Sequence, residues 1–183
     1  SGGVGGIVGL GASVVVVNDD SDVSAYIASG TSDSNATDIL QADDIRINAL
    51  SVLNLNAIAA GGTGSIIVSA GASIARAEST GTTEAYIGNH TQIGKGSGSV
   101  DDVEVQSGAL HTATADATAV SVGIGAAGVG NNAQAVIKPT VRSYIGTGAN
   151  IEADRIEVGA GATPKAKAVT DGVGASLLAG VGV

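Results

Sequence analysis

The chain lacks the side chains around which most globular cores are built. Its 183 residues include no Cys, Met, Trp or Phe, only three Tyr and two Pro, but 29 Gly. The absence of Cys excludes internal disulfides. Because the large core-forming residues are missing, Ala, Val, Ile and Leu must fill the interior, which suits thin layers stacked closely together.

Positive charge is also scarce. Eight basic residues face 17 acidic ones, and the formal net charge is −9. This balance argues against binding to nucleic acid or to an anionic membrane surface. Since every long apolar stretch is interrupted by glycine, and no basic region precedes an apolar run at the start, we expect neither a membrane span nor a signal peptide in this segment.

The three tyrosines mark an internal repeat. Tyr26, Tyr86 and Tyr144 lie in the tetrapeptides AYIA, AYIG and SYIG, which follow one another at a nearly constant spacing. Self-similarity at a fixed period is the signature of an array. A second landmark recurs as DDIRINA, DDVEVQS and DRIEVGA, in which three apolar positions correspond: Ile45, Val103 and Ile156.

The alignment divides the chain into repeats at 1–60, 61–118 and 119–171, with the start of a fourth at 172–183. The chain begins and ends in nearly the same repeat phase. We therefore interpret it as a fragment of a longer array.

Alternation of apolar and polar residues predicts strands with one buried face, and no helical stripe persists. The fold class is therefore all-β, and the in-register repeats favour a β-solenoid resembling a parallel β-helix. Coils of about 20 residues would place two or three coils in each repeat. The tyrosines of successive repeats would then be too far apart to stack. Tandem small antiparallel β-sandwich modules are the alternative.

Extra residues enter between the tyrosine and the acidic landmark. The stretches 29–38 and 89–99 are rich in Ser, Thr, Asn, Asp and Gly, which predicts variable surface loops. Each contains an Asn-x-Thr sequon, and so Asn35 and Asn89 are candidate glycosylation sites. These loops also support an alternative function, an adhesive module that binds carbohydrate or protein.

The acidic pairs Asp43/Asp44 and Asp101/Asp102 are weak candidates for calcium, because carboxylates are its preferred ligands. The third repeat has Arg155 where a ligand would be needed. We therefore favour a role for these carboxylates in capping the strand entry, and we predict no cofactor.

No catalytic constellation recurs. His90 lies in a variable loop, and His111 is assigned to an outward-facing strand position; each occurs in one repeat only. A β-helix hydrolase or lyase would need clustered carboxylates on one groove, so we predict that the segment is not an enzyme. An ice-binding face is disfavoured, because the threonines of one repeat are replaced by Asn and Lys in the others.

The recurring (A/S)YIG, a GANIEA-like strand and D-x-(I/V)-x-V, followed by a long Ala/Ser/Gly/Val alternation, resemble the repeats of giant bacterial filamentous adhesins of the leukotoxin type. That resemblance covers the whole chain and implies an exported, extracellular surface protein with a β-solenoid stalk. It implies no catalytic residues. We expect a structural fibre segment at the cell surface, whose partners are further copies of the repeat, in the same chain or as a homopolymer, and a surface glycan or protein. An acidic exterior would limit lateral clumping.

Overall fold

The fold consists of β-strands. A computed structural model describes residues 2–4, 6–95 and 100–182, and within them no helix occurs, so none could cross a membrane. The strands are β1 (Gly2–Val4), β2 (Val8–Asp19), β3 (Val23–Ile27), β4 (Thr37–Ile39), β5 (Ala42–Ser65), β6 (Val68–Ser79), β7 (Thr82–Ile87), β8 (Thr91–Ile93), β9 (Val100–Gly123), β10 (Ala126–Ile137), β11 (Thr140–Ile145), β12 (Asn150–Ile151), β13 (Arg155–Ser176) and β14 (Ala179–Gly182).

The strands form four parallel sheets. We call them the long sheet (β1-β5-β9-β13), the facing sheet (β2-β6-β10-β14), the tyrosine sheet (β3-β7-β11) and the short sheet (β4-β8-β12). Neighbouring strands in each sheet come from successive repeats. One passage of the chain through the sheets, here called a pass, therefore corresponds to one repeat.

The ladders join the same residues that the sequence alignment places together. Gly61 pairs with Ala119, which pairs in turn with Gly172, and Val103 lies between Ile45 and Ile156. Each pass can thus satisfy the backbone N–H and C=O groups of the next one.

The expectation of two or three coils per repeat is wrong, since each repeat makes one wide pass. The cause is strand length: β5 and β9 each run for 24 residues. Strands of the facing and tyrosine sheets pack against the same long strand. Because the alternation along the long strand contains no turn, the chain cannot double back within it.

The alternative of antiparallel sandwich modules is also wrong. Strands pair in parallel between repeats, whereas a sandwich module would pair them antiparallel within a repeat. The all-β prediction itself is confirmed.

The interior follows the predicted period of two. One core cluster packs Ile47, Val103 and Val105 of the long sheet against Ile87 of the tyrosine sheet. A second cluster lies between the long and facing sheets and consists mostly of alanine (Leu55, Ala57, Ala59, Ala75, Ala77, Ala113, Ala115 and Ala117). Small side chains let the two layers approach closely, as the sequence predicts.

Burial depends on the pass. Val103, in the middle pass, exposes 1% of its surface, whereas Ile156, its ladder partner in the next pass, exposes 45%. Ile156 lies in β13, at the edge of the long sheet, and no further strand beside it covers its side chain.

Candidate functional site

The tyrosines form a stacked ladder on the tyrosine sheet. Tyr26 pairs with Tyr86, and Tyr86 with Tyr144, in the strand register. The ring centroids lie 5.0 and 4.9 Å apart, and the ring planes differ by 5° and 4°. The expectation that the rings are separated is wrong, because it rested on the wrong number of passes per repeat.

The stack shapes what this surface can bind. Both faces of the Tyr86 ring are covered by its neighbours, and so the ladder presents ring edges along its side. A sugar that stacks on an open aromatic face finds one only at the ends of the column. Next to the ladder, Arg142 forms an ion pair with Glu84.

The surroundings of Tyr86 favour its neutral form. Partial burial of the phenol raises its pKa above the ordinary value of 10.0, and the neighbouring Tyr144, Tyr26 and Glu84 raise it further.

A second line of contacts runs through the corner that follows the tyrosine strands. The Ser29 hydroxyl accepts a hydrogen bond from the Asn89 backbone N–H at 2.9 Å, and the Asn89 Oδ1 accepts one from the Thr147 N–H at 2.8 Å. In the same corner His90 Nδ1 lies 2.6 Å from Asp33 Oδ1. The three passes are therefore joined by side chains as well as by strands.

The stretch 89–99 is not wholly the surface loop that its composition predicts. It contains β8, in which Thr91 and Ile93 are buried in the interior. Gly94 has a φ of 73°, and a Cβ there would lie 2.1 Å from the Glu152 carbonyl oxygen. Residues 96–99 lie outside the described residues. The first stretch, 29–38, is also not wholly a loop, because Thr37 and Asp38 belong to the short strand β4. Its extra residues lie before that strand.

Both candidate glycosylation sites are exposed, but they differ in their contacts. Asn35 uses its Nδ2 to donate to the Thr31 hydroxyl at 2.8 Å. Asn89 accepts from the next pass through its Oδ1. Glycosylation of either residue stays a prediction.

His111 does not face outward as predicted. Its ring is buried, with Nε2 2.9 Å from the Ser51 hydroxyl and Nδ1 2.8 Å from the Ser79 hydroxyl. One ring nitrogen can donate and the other accept, since hydroxyls do both. The alternation with a period of two predicts that His111 faces inward, because it is in phase with the buried Ala113 and Ala115.

A second buried polar group was missed by the sequence reasoning. Thr63 Oγ1 lies 3.3 Å from Ser121 Oγ and 3.5 Å from Ser69 Oγ, and the two serines also bond to each other. These residues join the long sheet to the facing sheet. Only their inward phase in the alternation indicates the cluster, because the two sheets meet through tertiary packing.

The acidic pairs lie at the start of the long strands. Asp44 pairs with Asp102 in the ladder, and the exposed side chains of Asp43 and Asp101 precede them. Arg155 takes the corresponding place in the third pass. A cation therefore continues the column of carboxylates.

Arginines form ion pairs with some of the carboxylates in this patch. Arg46 Nη2 lies 3.0 Å from Asp44 Oδ2, and its Nε lies 3.4 Å from Glu104 Oε2; Arg155 pairs with Glu157. In the described part of the chain, no three His, Cys, Asp or Glu residues are grouped so that they could hold a metal ion. The geometry gives the calcium hypothesis no support.

No protein-family model, curated protein or solved structure matches the chain. The likeness of its repeats to filamentous adhesins therefore stays a prediction.

The side chains described above mainly connect one part of the fold to another. The ladder and the corner join successive passes, and the two buried polar clusters join the long sheet to the facing sheet. Serines contact both ring nitrogens of His111.

The burial of His111 can be tested by a double-mutant cycle. His111→Leu should destabilise the fold by about 1 to 3 kcal/mol, because it leaves the buried Ser79 hydroxyl without its partner. His111→Leu/Ser79→Ala should recover part of this loss, as measured by denaturant unfolding. Thr112→Leu, at the adjacent outward position, serves as the control. If His111→Leu left the free energy of unfolding unchanged, the ring would not make these hydrogen bonds.

The raised pKa of Tyr86 predicts a loss of stability at alkaline pH. Above the ordinary tyrosine pKa the unfolded chain releases this proton while the folded chain keeps it, so the contribution present below pH 10.0 is lost as pH rises through the folded value. The absorbance of tyrosinate should show a late-titrating step that Tyr86→Phe abolishes and Tyr26→Phe largely retains. Equal loss in both variants would contradict the assignment.

Proposed function

We propose that the chain is a segment of a β-solenoid and serves as a structural part of an extracellular bacterial fibre or adhesin stalk. One observation carries this proposal: successive repeats pair in register, residue on residue, in all four sheets. A unit that pairs with the preceding and the following unit in the same way can be extended without a new kind of contact.

Continuous pairing supports the mechanical role. The long strands of the three passes are bonded side by side along nearly their whole length, and the core beneath them is mostly aliphatic. Bending such a stack would stretch many hydrogen bonds at once. Stiffness and reach are what a stalk requires.

Exposed apolar side chains in the last pass support continuation of the array. Ile156 and Val158 face inward but are 45% and 43% exposed, whereas Val105, which pairs with Val158, is fully buried. A further pass would cover them. It would come from more repeats in the same chain or from another copy of it.

The amino-acid composition suits a fibre that is exposed outside the cell. The chain has no Cys or Met to oxidise, and its net charge of −9 favours solubility. The likeness of the repeats to those of filamentous adhesins points to the same location, the bacterial cell surface.

Electron microscopy tests this function. Chains extended by tandem copies of residues 61–118 should form rods of constant width, whose length grows by roughly 5 Å with each added repeat. An antibody against loop residues 31–36 should label projections on intact source cells, and the free loop peptide should block it. Compact particles, or labelling only after permeabilisation, would contradict the proposal.

A binding module is the second candidate, favoured by the first loop. Asp33 at its tip is 81% exposed in its side chain. Paired residues of β3 and β7 are farther apart in the sequence than paired residues of β4 and β8, because this loop lies between β3 and β4. Deleting residues 31–36 would make the two sequence separations equal. Selective binding on a glycan array that this deletion abolishes would favour the second candidate. Residues 89–99 should stay intact in that test, because Ile93 is in the core.

A further inference from the structure

One corner of the fold carries apolar side chains on its outer surface in every pass. It lies where the long sheet turns into the facing sheet. Each of these side chains exposes 41 to 82% of its surface, and together we call them the apolar ridge: Ile7, Val8, Leu10, Ile66, Ile67, Val68, Val122, Ile124, Leu177 and Leu178.

The ridge is continuous along the stacking direction. Val8 pairs with Val68 in the ladder. At the turn itself, backbone hydrogen bonds join Ile67 to Ile7 and Gly125 to Ile66. Apolar side chains therefore recur on the ridge at each pass, at the spacing of the strands, about 4.8 Å.

The ridge is also free of charge. No Asp, Glu, Lys or Arg occurs in residues 6–18, 61–75, 119–137 or 172–182, although the whole chain has 17 acidic and 8 basic side chains. Its exposed apolar area is on the order of 1,000 Å², above the roughly 300 to 600 Å² of the largest patch on a typical monomer and comparable to the ~800 Å² that each partner buries in a standard interface.

We propose that the apolar ridge is a lateral docking surface for a second copy of this chain, so that two stacks lie side by side. Three properties select that partner. The copies carry like charge and repel each other at their acidic faces, while the ridge has no such penalty. A second ridge is equally apolar. Its side chains also recur at the same axial spacing, so that every pass adds an apolar contact.

Lateral pairing deepens the proposed function and rests on the stacked passes, but not on the extracellular location. Because contacts recur at each pass, affinity grows with the number of repeats. Two paired stalks resist bending more than one. The acidic exterior would then prevent lateral contact between copies on most of the surface and allow it at the apolar ridge.

Sedimentation velocity of the intact chain tests the pairing. The chain should dimerise reversibly, more strongly at high salt because salt screens the repulsion between acidic copies. Ile66→Asp/Ile124→Asp places two charges in adjacent passes of the ridge and should weaken dimerisation by at least about tenfold.

Val52→Asp/Leu110→Asp is the matched control. These two residues are also exposed, apolar and paired in adjacent passes, but they lie on the long sheet away from the ridge. This variant adds the same charge and should dimerise like the original chain. Circular dichroism verifies the fold, and Ile66→Ser/Ile124→Ser replaces the charged ridge variant if that variant unfolds.

Small-angle scattering separates this proposal from the fibre proposal. Lateral pairing should increase the cross-section of the particle without lengthening it. A chain that stays monomeric at high salt, two variants that dimerise equally well, or growth in length alone would each overturn the ridge as a lateral interface. Rods that do not pair would leave the fibre standing, whereas the absence of rods would contradict the fibre itself.

Discussion

The in-register hydrogen bonding between successive repeats is the constraint on which the rest of the structure depends. A long strand such as β9 has its backbone groups satisfied by β5 on one side and by β13 on the other. A one-residue slip in register would turn the inward alanines outward along the whole strand. The periodic sequence and the ladder therefore enforce each other.

Because the register is fixed, each position of the repeat becomes a column along the axis. A column of like residues has consequences that a single residue would not. Tyrosines in one column stack, Arg155 follows two carboxylates in another, and aliphatic residues in adjacent columns form the apolar ridge. Insertions are confined to the corners beside the short sheet, where they do not disturb the ladders.

Much of the fold could be predicted from the sequence. The tyrosines and the acidic landmark give the register, and alternation gives the buried face. The number of passes could not be derived from repeat length, since a repeat of this length suits either three narrow coils or one wide pass. The uninterrupted alternation of apolar and polar residues along β9 indicates one wide pass. His111 was misplaced because its polarity was given more weight than its phase, and its partner Ser79 lies in another sheet, far away in the sequence.

The spacing of the tyrosines tests the central claim of one repeat per pass most directly. With only Tyr26, Tyr86 and Tyr144 in the chain, labelling tyrosine carbonyl carbons with ¹³C places one probe in each pass. Solid-state NMR dipolar recoupling should then give a nearest separation of about 4.8 Å. Separations of about 10 Å or more, the value for two or three coils per repeat, would contradict the account.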